Sequence, residues 1–204
     1  PGIVFDGWLD KGAELYWVTA HEIGHNWFPM IVGSDERRFG WMDEGLNTFI
    51  DIYAADDFHQ GEFAPKRDPE YAPKGGNPAD EIIPTLQDPD APVIMTAADG
   101  VPEKYRHPIT YFKNALGLVL LREQILGKDR FDYAFRSYTH AWAYKHPGPD
   151  DFFRCMENAA GEDLSWFWRE WFYHNWTFDI AIAGAKYNGN DYTKGVDIHI
   201  LNKD

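Results

Sequence analysis

The chain has one cysteine in 204 residues, only 19 basic residues against 33 acidic ones, and no apolar run near membrane-spanning length. Each scarcity removes a class of protein. With Cys155 alone, no internal disulfide and no cysteine-based metal site can form. That cysteine lies in Phe152-Phe153-Arg154-Cys155-Met156, which reads as a helix interior and argues against a catalytic thiol. The formal net charge of −14 argues against nucleic acid, whose phosphates demand a basic face. No stretch approaches the roughly 20 apolar residues needed to cross a bilayer. Internal repeats and low-complexity tracts are lacking too. What remains is an ordinary globular composition, 44% hydrophobic and 25% charged, except for an aromatic share of 17% with nine Trp. Rings in that number favour a deep core over a ring-lined cleft. An acidic cleft would suit a cationic substrate end such as a free amino group.

Pro1 opens the chain without an initiator methionine or a signal-like leader, and the last residues fall inside a strand pattern. The sequence therefore reads as a piece of a larger protein, with any targeting segment outside it. Residues 10–28 read as a helix, with Asp10 as N-cap and Pro29 as its stop. A second helix reads at 41–55, where Met42, Leu46, Phe49, Ile50 and Tyr53 stand at helical spacing. Gly33, Ser34 and Asp35 lie in the connector between them. The segment 57–108 holds nine of the thirteen prolines and Gly75-Gly76, and reads as mostly loop, of a length that often lines or covers sites. Helical patterning returns at 110–126, stops at Gly127, and resumes over 129–145, 149–160 and 163–175. The stripe of Leu164, Phe167, Trp168, Trp171 and Phe172 reads as core packing. After Thr177 the period switches to two. Phe178, Ile180 and Ile182, a turn at Asn188-Gly189, then Val196, Ile198 and Ile200 predict a hairpin. The resulting division is a mainly α unit over 1–176 and the start of a β-rich domain over 177–204.

The first helix contains His21-Glu22-Ile23-Gly24-His25. Residues four apart stand one turn above each other, so both imidazoles project from one face, a spacing that suits zinc. Glu22 sits beside them, near where a metal-bound water would lie. A catalytic zinc takes three protein ligands and keeps one position open. Glu44, in Trp41-Met42-Asp43-Glu44-Gly45 at the start of the second helix, supplies the third ligand if the connector lets the two helices pack antiparallel. Asn47 and Thr48, one turn on, are candidates to orient the imidazoles. His59, His107, His140, His146, His174 and His199 are scattered without ligand spacing. Asn175-Trp176-Thr177 matches a glycosylation acceptor pattern, which matters only on a eukaryotic secretory route.

These residues resemble the gluzincins, and within them the M1 family of zinc aminopeptidases. The family pattern of His-Glu-x-x-His, eighteen residues, then Glu runs from His21 to Glu44 without a gap. His25-Asn26-Trp27-Phe28 and Trp41-Met42-Asp43-Glu44-Gly45 agree with the flanks, with Asp43 where Asn is commoner. The resemblance implies a thermolysin-like catalytic domain, represented mainly by its helical half with the N-terminal strands missing, followed by the hairpin of the next domain. It implies one zinc ion, a peptide substrate, and flanking N-terminal and C-terminal domains of a parent protein. In the family a tyrosine in a Tyr-x-Lys-Gly motif stabilises the tetrahedral intermediate. Tyr111-Phe112-Lys113-Asn114 matches it with Asn114 in place of Gly, and makes Tyr111 the candidate over its rival Tyr105. The family's upstream Gly-x-Met-Glu-Asn segment, whose Glu grips the substrate amino group, does not occur in the chain. The expected activity is peptide hydrolysis by a metal-activated water with Glu22 as general base, releasing N-terminal residues. A zinc endopeptidase or a non-catalytic scaffold are the competing readings.

Overall fold

The computed structural model describes residues 4–5, 11–58, 79–176 and 180–203. Helix α1 spans Ala13–Gly24, and α2 spans Leu46–Phe58. Asp10, the expected cap of α1, lies outside the described residues. The helix starts at Ala13 behind Gly12, whose φ of 60° an L side chain adopts only with strain. Its far end comes earlier than the expected 28. Regular helix stops at Gly24, and Phe28 and Pro29 take non-helical dihedrals within the bend Asn26–Ile31. Pro29 lacks the N–H that would continue the ladder.

Residue pairs across α1 and α2 run in opposite order. The Tyr16 hydroxyl donates to the Ala54 carbonyl at 3.3 Å, and the Tyr16 ring stacks on Phe58 at 4.6 Å. Asn47 Nδ2 donates to the His21 carbonyl at 2.7 Å, and His25 faces Glu44. The helices are therefore antiparallel, as the spacing of the histidines and Glu44 required.

Glu44 sits in the wide helical turn Trp41–Gly45 that leads into α2. Trp41 anchors it from below. Its ring stacks on Phe153 at 5.8 Å and meets Phe172 edge-on at 4.9 Å and Phe152 at 5.8 Å. A buried ring contributes about 1.5–3 kcal/mol by leaving water, and a well-oriented ring pair about 0.5–1.5 kcal/mol more, so this cluster fixes the height of the turn. Phe152 and Phe153 come from the later helix Pro149–Ala160 and Phe172 from the end of the helical part. Of the aromatic stripe, Leu164, Phe167, Trp168 and Phe172 are buried as predicted, and Trp171 is partly buried against them. Along this turn and α2, Met42, Leu46 and Phe49 are in the core, but Ile50 is 38% exposed, while Asn47, Thr48 and Asp51 are buried. The buried face is turned toward the metal site and takes its polar residues with it.

The proline-rich segment is less loop-like than its composition predicts. Residues 59–78, with Gly75-Gly76 and His59, lie outside the described residues. Beyond them Ala79–Leu86 forms helix α3, with Ile82 and Thr85 buried and Pro84 on the exposed side. A helical turn at Glu103–Tyr105 then enters the wide turn Arg106–Lys113 and helix α4, Asn114–Leu120. Pro108 lies inside this run, so helical structure begins before the expected 110. After Leu121–Ile125 the run stops at Gly127, with φ of 81°. Helices α5 (Lys128–Trp142), α6 (Pro149–Ala160) and α7 (Ser165–Trp168, continued by Arg169–Tyr173) follow at the expected places.

Strands β1 (Ile180–Tyr187) and β2 (Val196–Asn202) pair antiparallel. Opposed residues share a face, so Ile180, Ile182, Tyr187, Val196, Ile198 and Ile200 make one apolar side, each 46–70% exposed. The turn uses Gly189 at φ 63° as expected, but continues through a second turn at Tyr192–Lys194. The fold is mainly α with a C-terminal β-hairpin. No described helix is long and apolar enough to cross a membrane.

Candidate metal centre

His21 is on the last turn of α1, and His25 caps it, its N–H donating to the His21 carbonyl at 3.2 Å. The two Nε2 atoms are 3.1 Å apart. Glu44 Oε2 lies 3.0 Å from that of His21 and 3.4 Å from that of His25. The other ring nitrogens decide what these three atoms can hold. His25 Nδ1 faces the Phe28 carbonyl at 2.8 Å, which can only accept, so this nitrogen carries the proton. His21 Nδ1 faces Asp51 Oδ2 at 2.7 Å. With both Nδ1 atoms donating, each neutral ring turns a lone pair toward its partner and toward a carboxylate oxygen. In that tautomer three lone pairs meet at 3.0–3.4 Å, an arrangement that a cation between them would satisfy. Two ligand atoms about 2.0–2.1 Å from a tetrahedral ion stand roughly 3.3 Å apart, so the triangle and its two-imidazole, one-carboxylate donor set fit zinc. Among the described residues, His21, His25 and Glu44 are the only such group.

The electrostatics agree. Burial pulls the imidazoles toward neutrality, but the hydrogen bonds that Asp51 and Glu44 accept outweigh it at His21, to about 9. The nearby carboxylates of Asp43 and Glu44 do the same at His25, to about 11. Burial pushes Glu44 up, and the two histidines more than reverse it, to about 2. The pocket is built to hold positive charge, supplied by protons when no metal is bound.

The imidazoles are not oriented as expected. Asn47 reaches the His21 backbone carbonyl and not its ring, and Thr48 Oγ1 makes no side-chain hydrogen bond among the described residues. The partners are Asp51, 2% exposed, and the Phe28 carbonyl. Asp51 could have been found. It is seven residues past Glu44, two helical turns on the same face. The Phe28 carbonyl carried no signal, since it depends on how the chain leaves α1. Asp43 keeps Oδ1 2.9 Å from His25 Nδ1 but off line with its N–H. Burial, opposed by that histidine, pushes the Asp43 carboxyl up to about 6.

Glu22 and Tyr111 line one cavity of about 90 Å³ together with His21, Glu44, Thr48, Trp17 and Phe112. The Tyr111 ring lies 5.8 Å from that of His21, nearly parallel, and 4.9 Å from that of His107. His107 is thus a neighbour of the site that ligand spacing could not reveal. Tyr105 is turned elsewhere, its hydroxyl donating to Asp88 Oδ2 at 2.6 Å. Of the other described histidines, His146 pairs with the Gly33 carbonyl and His174 with that of Arg169. His140 is on the apolar groove behind α1 and α2, and His199 is on the hairpin. At the acceptor-like Asn175, both ends of the amide are engaged. Nδ2 donates to the Ala91 carbonyl at 2.7 Å and Oδ1 accepts from Lys113 Nζ at 2.6 Å.

A helical unit thus brings two histidines and a glutamate to one point that could hold a metal, with a second glutamate and a tyrosine on the wall of the same cavity. The chain matches the Peptidase family M1 domain over residues 9–171 and belongs to that family, of whose domain it forms the helical part. It is 24% identical to Aminopeptidase M1-A of rice (Oryza sativa subsp. japonica) over 162 residues, 76% of this chain and 17% of the rice protein. Aminopeptidase M1-D of rice is 23% identical over 200 residues, 90% of this chain and 20% of the relative. Aminopeptidase 2, mitochondrial, of Saccharomyces cerevisiae is 24% identical over 156 residues, 76% of this chain and 16% of the yeast protein. The chain thus spans about one-sixth to one-fifth of the length of these relatives.

Proposed function

We propose that the chain carries the catalytic centre of a zinc aminopeptidase, with His21, His25 and Glu44 as ligands, Glu22 as general base and Tyr111 as donor to the developing oxyanion. The observation that carries this is the triangle of lone pairs at 3.0–3.4 Å, with Glu22 and Tyr111 on the wall of the same cavity. A zinc ion held by these three side chains would supply Lewis acidity, bringing the pKa of a water down to roughly 7. Glu22, which is no ligand, takes a proton from the attacking water and delivers it to the leaving amine. Tyr111 offers its hydroxyl where the carbonyl oxygen gains charge, and losing such a donor costs about 100- to 1,000-fold in rate. Asp51 and the Phe28 carbonyl hold the imidazoles in the tautomer that leaves both Nε2 lone pairs free.

Release of N-terminal residues is supported by the relatives, which are named aminopeptidases. A division into a catalytic unit over 1–176 and a separate β-rich unit over 177–204 belongs to the same proposal, supported by the uncovered apolar side of the hairpin. The test uses the full-length protein, offered a free-amino peptide and its N-acetylated twin, with products read by mass. Stepwise loss of N-terminal residues from the free peptide alone is expected. Internal cleavage of both peptides would make the enzyme an endopeptidase, and zinc binding without cleavage of either would make it a scaffold.

A further inference from the structure

Lys113 is 2% exposed, and burial pulls its ammonium down to about 8 with no carboxylate opposing the shift. Its Nζ donates to Asn175 Oδ1 at 2.6 Å and to the His174 carbonyl at 3.5 Å. Its own carbonyl accepts from Trp171 Nε1 at 2.8 Å. Side chain and backbone of one residue are thus both tied to the last helical segment, and Asn175 is tied onward to Ala91. Among the described residues no carboxylate pairs with it, and a cation buried in that way is a poor means of stabilising a fold, since an apolar side chain of the same length avoids the desolvation. Such a group serves geometry better than it serves stability.

The geometry concerns the turn Arg106–Lys113, which carries Tyr111 two residues before the lysine. On its other side the turn leans on the Glu44 turn. Asn114 Nδ2 donates to the Trp41 carbonyl at 3.4 Å, and the Asn114 side chain covers Gly45 so closely that a Cβ there would collide with it. The Asn114 contact sets how near the two turns come, and the Lys113 contacts set the rotation of the Tyr111 turn about its axis. A wide turn shifts the facing of later residues by about 100° relative to a regular one, so an unpinned turn would not hold a hydroxyl at one place in a small cavity.

We infer that Lys113 and Asn175 form a positioning pair for Tyr111, holding the turn so that the Tyr111 hydroxyl meets the reacting carbonyl oxygen. The inference rests on the role proposed for Tyr111, and the experiment separates the two. In the full-length zinc-loaded protein, kcat and KM are measured on a free-amino alanine tripeptide for Tyr111→Phe, Lys113→Met, their double variant, Asn175→Ala and Asn175→Asp, with zinc content and thermal midpoint read alongside. Displacement of a reacting group by about 1 Å can cost roughly a hundredfold. Lys113→Met is expected to lose about that much in kcat, with KM and zinc content unchanged and the thermal midpoint equal or higher. Asn175→Asp, which keeps an acceptor for the ammonium, should retain far more activity than Asn175→Ala. The double variant should be no slower than Tyr111→Phe alone. A fall in midpoint that parallels the loss of kcat, or multiplied losses in the double variant, would overturn the pair. Should Lys113→Met fold poorly, Asn175→Ala answers the same question with the lysine in place. Impaired Tyr111→Phe with normal Lys113→Met and Asn175→Ala sinks the pair and leaves the tyrosine its role. A silent Tyr111→Phe removes both.

Discussion

Replacing Asp51 by Asn should weaken zinc binding by about 10- to 100-fold with little change in fold. Asp51 Oδ2 accepts from His21 Nδ1 at 2.7 Å, and at 2% exposure no solvent can replace the bond. A hydrogen bond to a charged acceptor is worth about 1.5–3 kcal/mol, and one between neutral groups about 0.5–1.5 kcal/mol. The amide therefore forfeits roughly 1.4 kcal/mol, or tenfold, if it presents its oxygen. Presenting its NH2 instead would favour the tautomer whose Nε2 carries the proton, and so block the ligand lone pair. This agrees with the 10- to 100-fold typical of groups that orient ligating histidines. Asn matches Asp in shape, so no cavity opens to confuse the result. The assay is competition for zinc against a chelator of known affinity at fixed pH, for wild type and Asp51→Asn, with circular dichroism as the folding control. Zinc affinity within twofold of wild type in a folded variant would refute the assignment of Asp51 as the anchor of His21.

Glu22→Gln should lower turnover by about 100- to 10,000-fold while zinc content stays at wild-type level, because a general base is lost and no ligand is; metal loss on this change would make Glu22 a ligand instead. Gly45→Ala would put a Cβ within 2.8 Å of Asn114 Cβ and of the Thr110 carbonyl, forcing the Glu44 and Tyr111 turns apart. A cost of about 1–3 kcal/mol is expected, and an unchanged thermal midpoint would show that the turns have room to spare. Lys113 gives the chain a pH signature. The unfolded lysine keeps its proton to 10.5, the folded one only to about 8, so between these values the unfolded state binds more protons and stability rises with pH. The full window is worth at most about 3 kcal/mol. Burial raises Tyr138 and Tyr53, which cost stability once unfolded tyrosines ionise near 10, and the raised His21 and His25 oppose the rise from below, so the lysine is followed between pH 8 and 9.5 against a variant that shares all of these groups. The signature is read as a difference: the wild-type midpoint should gain on that of Lys113→Met as pH rises over that interval, and parallel pH profiles of the two proteins would contradict the buried ammonium.

Local chemistry was enough for the sequence to pair His21 with His25, because a four-residue interval on a helix places two rings together whatever the rest of the fold does, whereas Glu44 joins them only through the antiparallel packing of α1 and α2. The core stripe from Leu164 to Phe172, the stop at Gly127 and the period-two hairpin follow from the same short-range rules. Proline content misled at Ala79–Leu86, where Pro84 is accommodated on the exposed side and the burial of Ile82 and Thr85 outweighs composition. Tertiary structure alone decided which groups hold the imidazoles, that Asp51 and not Asn47 or Thr48 serves His21, and that Tyr105 is spent on Asp88 while Tyr111 reaches the cavity. The reason is geometric. Wide turns at Trp41–Gly45 and Arg106–Lys113 break the fixed angle per residue on which spacing arguments rest. A partner such as the Phe28 carbonyl or Asn175 is brought in by the path of the chain, which no interval along the sequence encodes.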